Sequence, residues 1–291
     1  MKARIIAILL VGLLLLGGCR RFSALTEPLE TPVRGMPDFF VHAEAELSEP
    51  DDGEWGRWPP ETAAERRRVY AFGAYRSFYY DLSDETLGGA GGLSKMVVEN
   101  ALRDEFFIED SDTAKDVLGW IKEDGMTLST DIYYGSNELL LIAQGKLLPP
   151  VYMTGREEEW LREIYEEYAG ALAGYGYTED ELMLVETTVA GDLDMLVTVA
   201  RMSYSAGYLT EEETWEYLSY AEELATASYG SWREYLAGIL FSNAFMGMEG
   251  FYDYEVADHL LDNRLSPYEL FEFGPNKGVA GRNYFGWHTE A

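Results

Sequence analysis

The 291-residue chain carries 52 acidic against 22 basic residues, a formal charge of −30 and a sequence pI of about 4.3. A surface this acidic repels phosphate backbones and anionic headgroups, which excludes nucleic acid as a partner and leaves cations, basic peptides or cationic polymers as charges it could attract. With Cys19 as its single cysteine the chain forms no internal disulfide, so the fold rests on packing alone.

Lys2 and Arg4 open the chain, residues 5–16 are apolar, and Gly17-Gly18 precede Cys19, the three regions of a secretory signal. A membrane span needs roughly 20 apolar residues, and this run is too short. The segment Leu16-Gly17-Gly18-Cys19 resembles the lipobox of bacterial lipoproteins. That resemblance implies a cleaved signal over residues 1–18 and a diacylglycerol on the Cys19 thiol, whose two acyl chains make a stable anchor where one would be marginal. Cleavage would remove Lys2 and Arg4 and no acid, deepening the charge imbalance. Residues 19–60 follow with Pro28, Pro32, Pro37, Pro50, Pro59 and Pro60 among scattered acids, and read as an extended tether. Phe39-Phe40-Val41 is its one apolar patch.

From residue 61 onward the pattern is helical. Ser or Thr followed three residues later by Glu recurs at Thr62/Glu65, Thr154/Glu157, Thr178/Glu181, Thr210/Glu213, Ser231/Glu234 and Ser266/Glu269. In such a pair the hydroxyl accepts from a free first-turn amide while the carboxylate reaches back. Pro267 adds the favoured first-position proline. Apolar residues behind these starts step by three or four, as in Trp215, Leu218, Ala221, Ala225 and Tyr229. Gly125, Gly145, Gly174, Gly176, Gly207, Gly230 and Gly247 fall where helices should stop. Residues 131–134 read as a brief extended piece, and Gly88-Gly89-Ala90-Gly91-Gly92 as a flexible joint without the Lys of a phosphate loop. The fold expected is all-α, one domain of about eight helices over residues 61–291. Its seven tryptophans and 21 tyrosines are expected in the core and its rim.

The stretch from Asp194 through Gly207, then Tyr208-Leu209-Thr210-Glu211-Glu212-Glu213-Thr214-Trp215, and later Ser228-Tyr229-Gly230-Ser231-Trp232-Arg233-Glu234-Tyr235, resembles the bacterial domain-of-unknown-function family DUF1266. Weaker similarity runs upstream through Phe107-Ile108 and Asp116-Val117-Leu118-Gly119-Trp120. The resemblance implies a helical fold over residues 61–250, with 251–291 as an extension, and structural roles for Asp194, Arg201, Gly207, Trp215, Ser231 and Trp232. Arg201 fits a basic position of that pattern, and Val197 stands where it often has an arginine. The family has no settled activity, so the resemblance brings no catalytic assignment.

Candidate chemistry is sparse. Asp192 and Asp194 make an Asp-x-Asp, but residues two apart on a helix point about 200° from each other and do not converge on one ion. Asp194, Thr198 and Arg201 share a helix face, where a structural hydrogen-bond network is the favoured reading. His42, His259 and His288 are scattered, with no zinc-ligand spacing, no Gly-x-Ser-x-Gly elbow and no calcium loop. No cofactor and no metal are expected. The function expected is a lipid-anchored extracytoplasmic module, on the cell membrane or outer membrane, that binds an envelope protein or ligand. The alternative is an envelope hydrolase with a carboxylate pair in an inter-helix cleft, since such pairs leave no local sequence mark. Small-ligand capture would require a closed apolar pocket of about 300 Å³ or more.

Overall fold

The protein's structure, a computed structural model, describes residues 64–83, 85–89, 95–125, 127, 135–246 and 253–274. Cys19, the leader and tether, Thr62, residues 131–134, Gly247 and the chain after Gly274 lie outside the described residues. In chain order the helices are α1 (Ala64–Tyr70), a 3-10 turn (Ala71–Gly73), α2 (Ala74–Tyr79), α3 (Lys95–Phe106) and α4 (Ser111–Glu123). Then come α5 (Ser136–Ala143), α6 (Gly155–Gly174), α7 (Glu179–Leu184), α8 (Val189–Ala206), α9 (Glu211–Ser228), α10 (Trp232–Phe245), α11 (Asp253–Asp262) and α12 (Pro267–Leu270). Eight of these run eight residues or longer. The other four, α1 and α2 flanking the 3-10 turn together with α7 and α12, are short segments that periodicity alone cannot separate from longer helices or from turns.

The acid-marked helix starts form as their sequence dictates. Thr154, Thr178 and Thr210 each accept from the amide three residues on, while Glu157, Glu181 and Glu213 accept from the cap's own amide. Ser231 and Ser266 make the first of these bonds only, and Glu234 instead accepts from the Gly230 amide at 2.7 Å. A further box, Asp110 with Thr113 opening α4, is built from the reversed residue types, an acid at the cap and a hydroxyl three residues on. Gly207 ends α8 in the left-handed conformation at φ 80°, which favours glycine.

Helix α8 is the axis of the molecule. Every one of its residues except Tyr204 is buried. It packs against α9, α10, α4, α3, α2 and the 3-10 turn, and α10 in turn packs against α5, α6 and α7. A helix buried on nearly every face is stable only when neighbours surround it and satisfy its polar side chains. At the α8–α10 crossing the backbones come close at Gly191, where a Cβ would lie 2.5 Å from the Ser242 Oγ of α10.

Residues 253–274, expected as an extension, close over this core. Trp232 at the start of α10 stacks on Tyr268 of α12 at 4.6 Å between ring centroids and meets Phe72 at 4.7 Å and Phe273 at 4.8 Å. Its indole N–H donates to the Phe271 carbonyl at 2.7 Å. The C-terminal residues therefore supply part of the pocket that buries Trp232.

Candidate functional site

Along α8 one edge is polar. Asp194, Thr198, Arg201 and Ser205 recur at steps of four, three and four, so their side chains stand above one another on a single face. That face meets α2, the 3-10 turn and residues 83 and 86–89.

Asp194 is fully buried. Its Oδ1 accepts from the Arg76 backbone amide at 3.2 Å and its Oδ2 lies 3.3 Å from the Arg76 Nε. Burial pushes its carboxyl up to about 7, and the Arg76 guanidinium and nearby amides pull the other way without cancelling it. Thr198 donates its hydroxyl to the Gly73 carbonyl at 3.2 Å.

Arg201 is completely enclosed, one turn further along. Its Nε donates to the Leu87 carbonyl at 3.1 Å, its Nη1 to the Ser77 hydroxyl at 3.1 Å, and its Nη2 to the carbonyls of Thr86, at 3.1 Å, and Ser83. The guanidinium also sits 4.7 Å from the Tyr70 ring centroid. Ser205 donates to the Gly88 carbonyl at 2.7 Å. Gly88 and Gly89, expected as the start of a flexible joint, are thus gripped by α8. Gly89 has φ +73°, and a Cβ there would come within 2.6 Å of the Arg201 Nη2, so the position requires glycine on both counts.

Asp192 faces elsewhere, as the two-residue offset requires. Its Oδ2 accepts from the Thr127 amide at 2.9 Å and from the Thr127 hydroxyl, and Gly125 leaves room for it. The two aspartates anchor different segments, α4's trailing turn and α2. Among the described residues no group of three or more His, Cys, Asp or Glu side chains is placed to hold a metal. No described helix is long and apolar enough to cross a membrane.

Trp215 is half-buried on α9, with the Arg66 guanidinium 4.9 Å from its ring centroid. It lines an open cleft of about 850 Å³ between α1, α9 and residues 272–274, together with Glu65, Arg68, Glu222 and Glu272. Arg68 spans this cleft, pairing with Glu222 and donating to the Phe273 carbonyl at 3.2 Å. A second, smaller cavity of about 160 Å³ lies against Arg201, Ser77, Phe78 and His259.

The partners that sequence reading missed, Arg76, Ser77, Thr127 and the carbonyls of Ser83, Thr86, Leu87 and Gly88, lie 65 to 124 positions from the α8 side chains they hold. Nothing local marks them. The only available signal was the polar spacing on α8 itself.

No curated protein and no solved structure matches the chain. The family model described as a protein of unknown function, DUF1266, matches residues 101–273, from the third helix to the last aromatic of the Trp232 pocket, and the chain belongs to that family.

Proposed function

We propose that the protein is a lipid-anchored, extracytoplasmic helical module that works through its surface on a partner at the bacterial cell envelope. The observation that carries this reading is Leu16-Gly17-Gly18-Cys19 behind a short basic and apolar leader. The burial of Asp192, Asp194 and Arg201 in packing contacts supports it, because the charged groups that looked most like chemistry are occupied in holding helices together. Replacement Cys19→Ser should move the protein from the membrane fraction to the soluble fraction while helical content by circular dichroism is unchanged. Retention in the membrane fraction would reject the anchor. Crosslinking and pull-down of the lipidated protein from its native membrane identifies the partner.

A carboxylate-pair hydrolase is the second reading, favoured by one observation, the cleft that brings Glu65, Glu222 and Glu272 to a common opening. Glu222 is engaged by Arg68, which leaves Glu65 and Glu272 as the acid and base to test. Incubation with envelope glycan should release new reducing ends, and Glu65→Gln or Glu272→Gln should abolish that release. No release by the unmodified protein ends this reading.

A further inference from the structure

The connection between α5 and α6 is unusual for a surface loop. Residues 147–151 read Leu-Leu-Pro-Pro-Val, followed by Tyr152, with no side-chain hydrogen-bonding group before the tyrosine hydroxyl. Leu148 is 88% exposed, Val151 fully exposed at 104%, and Tyr152 76% exposed. Val151 and Tyr152 are the corner residues of a turn closed by the Met153 amide donating to the Pro150 carbonyl at 2.9 Å. Turn corners ordinarily carry glycine, asparagine or other polar residues.

The loop is also held out by its roots. At one end the amides of Lys146 and Leu147 both donate to the Leu141 carbonyl, at 2.8 and 3.0 Å. There too the Gln144 amide group donates to the carbonyls of Leu182 and Val185, at 3.2 and 3.0 Å. At the other end stands the Thr154/Glu157 capping box. With both ends tied and two prolines limiting the backbone between them, Leu148, Val151 and Tyr152 stand out from the core.

We propose that residues 147–152 form a wedge that inserts into the interface of a lipid bilayer and orients the domain on the membrane. The inference rests on the anchor at Cys19 proposed above. Exposed side chains at a turn corner make a convex apolar tip, which fits a deformable apolar phase. The chain from Cys19 to Ala64, extended at about 3.1 Å per residue, reaches at most roughly 140 Å, several times the radius of a domain this size. Such a tether brings every face of the domain within reach of the lipid without selecting one. The wedge makes the selection, and the anchor spares it the translational cost of finding the membrane. Tyr152 at the wedge's edge suits the headgroup level, where an amphipathic ring is favoured. Lys146 and Arg156 bracket the loop, with Glu157, Glu158 and Glu159 immediately behind. That acidic first turn of α6 makes a zwitterionic surface the better partner than an anionic one.

The test uses the full, lipidated chain, in which acylation leaves no other thiol. Leu148→Cys, Val151→Cys and the control Glu163→Cys, exposed on α6, are each labelled with a polarity-sensitive fluorophore and reconstituted into phosphatidylcholine vesicles. Labels at 148 and 151 should shift to shorter wavelength and be quenched severalfold more than the control by a spin-labelled lipid in the same bilayer. The effect should weaken when phosphatidylglycerol replaces phosphatidylcholine. Water-like emission at all three sites in vesicle-bound protein overturns the wedge. So does a blue shift that lipid quenchers leave untouched and that tracks dimer formation in sedimentation, because the loop then faces a second copy. Label uptake by the unsubstituted chain would show a bare Cys19 thiol, which removes the anchor, and the wedge with it, by a separate signal.

Discussion

The rim of helix starts and the polar edge of α8 use the same chemical group to opposite ends. On the rim, the exposed Glu157 and Glu181 and the half-buried Glu213 are carboxylates held below their ordinary range by hydrogen bonds, to the local Thr cap for the first two and, for Glu213, first to Lys115 and then to Thr210. Glu213 falls to about 2. On α8, Asp194 is buried and driven up to about 7 by loss of water, despite its arginine partner. The capping part of such a site is built within one helical turn and costs the fold little, and at Glu213 a distant side chain, Lys115 of α4, adds to it. The second exists only because segments far apart in sequence close around it, and it makes those segments depend on one another.

That contrast is broken hardest at Arg201. Arg201→Met leaves three carbonyls and the Ser77 hydroxyl without their donor inside the core. A loss of about 3 to 5 kcal/mol in urea denaturation is expected, since each buried acceptor left without a donor costs about 1 to 3 kcal/mol. Arg201→Lys should recover little, because an ammonium cannot present the planar fork. A change under about 1 kcal/mol would mean that Ser83, Thr86 and Leu87 are not held by this side chain.

Trp232→Ala comes next, at about 3 to 5 kcal/mol for a large aromatic in a packed pocket. Because the pocket is lined by Phe271, Tyr268 and Phe273, the same variant should raise protease sensitivity at the C-terminal side of α11. An unaltered melting temperature would show the ring to be a surface group.

Asp194 sharpens the comparison through pH. The unfolded carboxyl releases its proton near pH 3.9, whereas the folded one keeps it until about 7. Its contribution to stability therefore falls as pH rises from about 4 to about 7, and is level on either side. Relative to the native chain, Asp194→Asn should gain stability across that window, read as the difference between the two denaturation curves at pH 4.5 and pH 7.5. A difference constant with pH would show Asp194 ionised throughout and held by Arg76. The smallest effect belongs to the rim, where Thr210→Ala should cost about 1 kcal/mol, the usual loss of a cap.

Much of this division was readable beforehand, and the reason is distance along the chain. A capping box, a glycine stop and a three-four apolar step each involve residues within one or two turns, so Thr154, Thr178, Thr210, Ser231 and Ser266 marked their helices from the sequence. Even the 200° separation of Asp192 from Asp194 follows from helix geometry alone. The sequence by itself thus determined an all-α domain, its principal helix starts and the family to which the chain belongs. Only the tertiary structure decided that Arg76 meets Asp194, that α8 grips the Gly88-Gly89 segment, and that residues 268–273 complete the core around Trp232. Those pairings join positions about 40 to 120 residues apart. Burial, which no local pattern records, sets both their strength and their charge state.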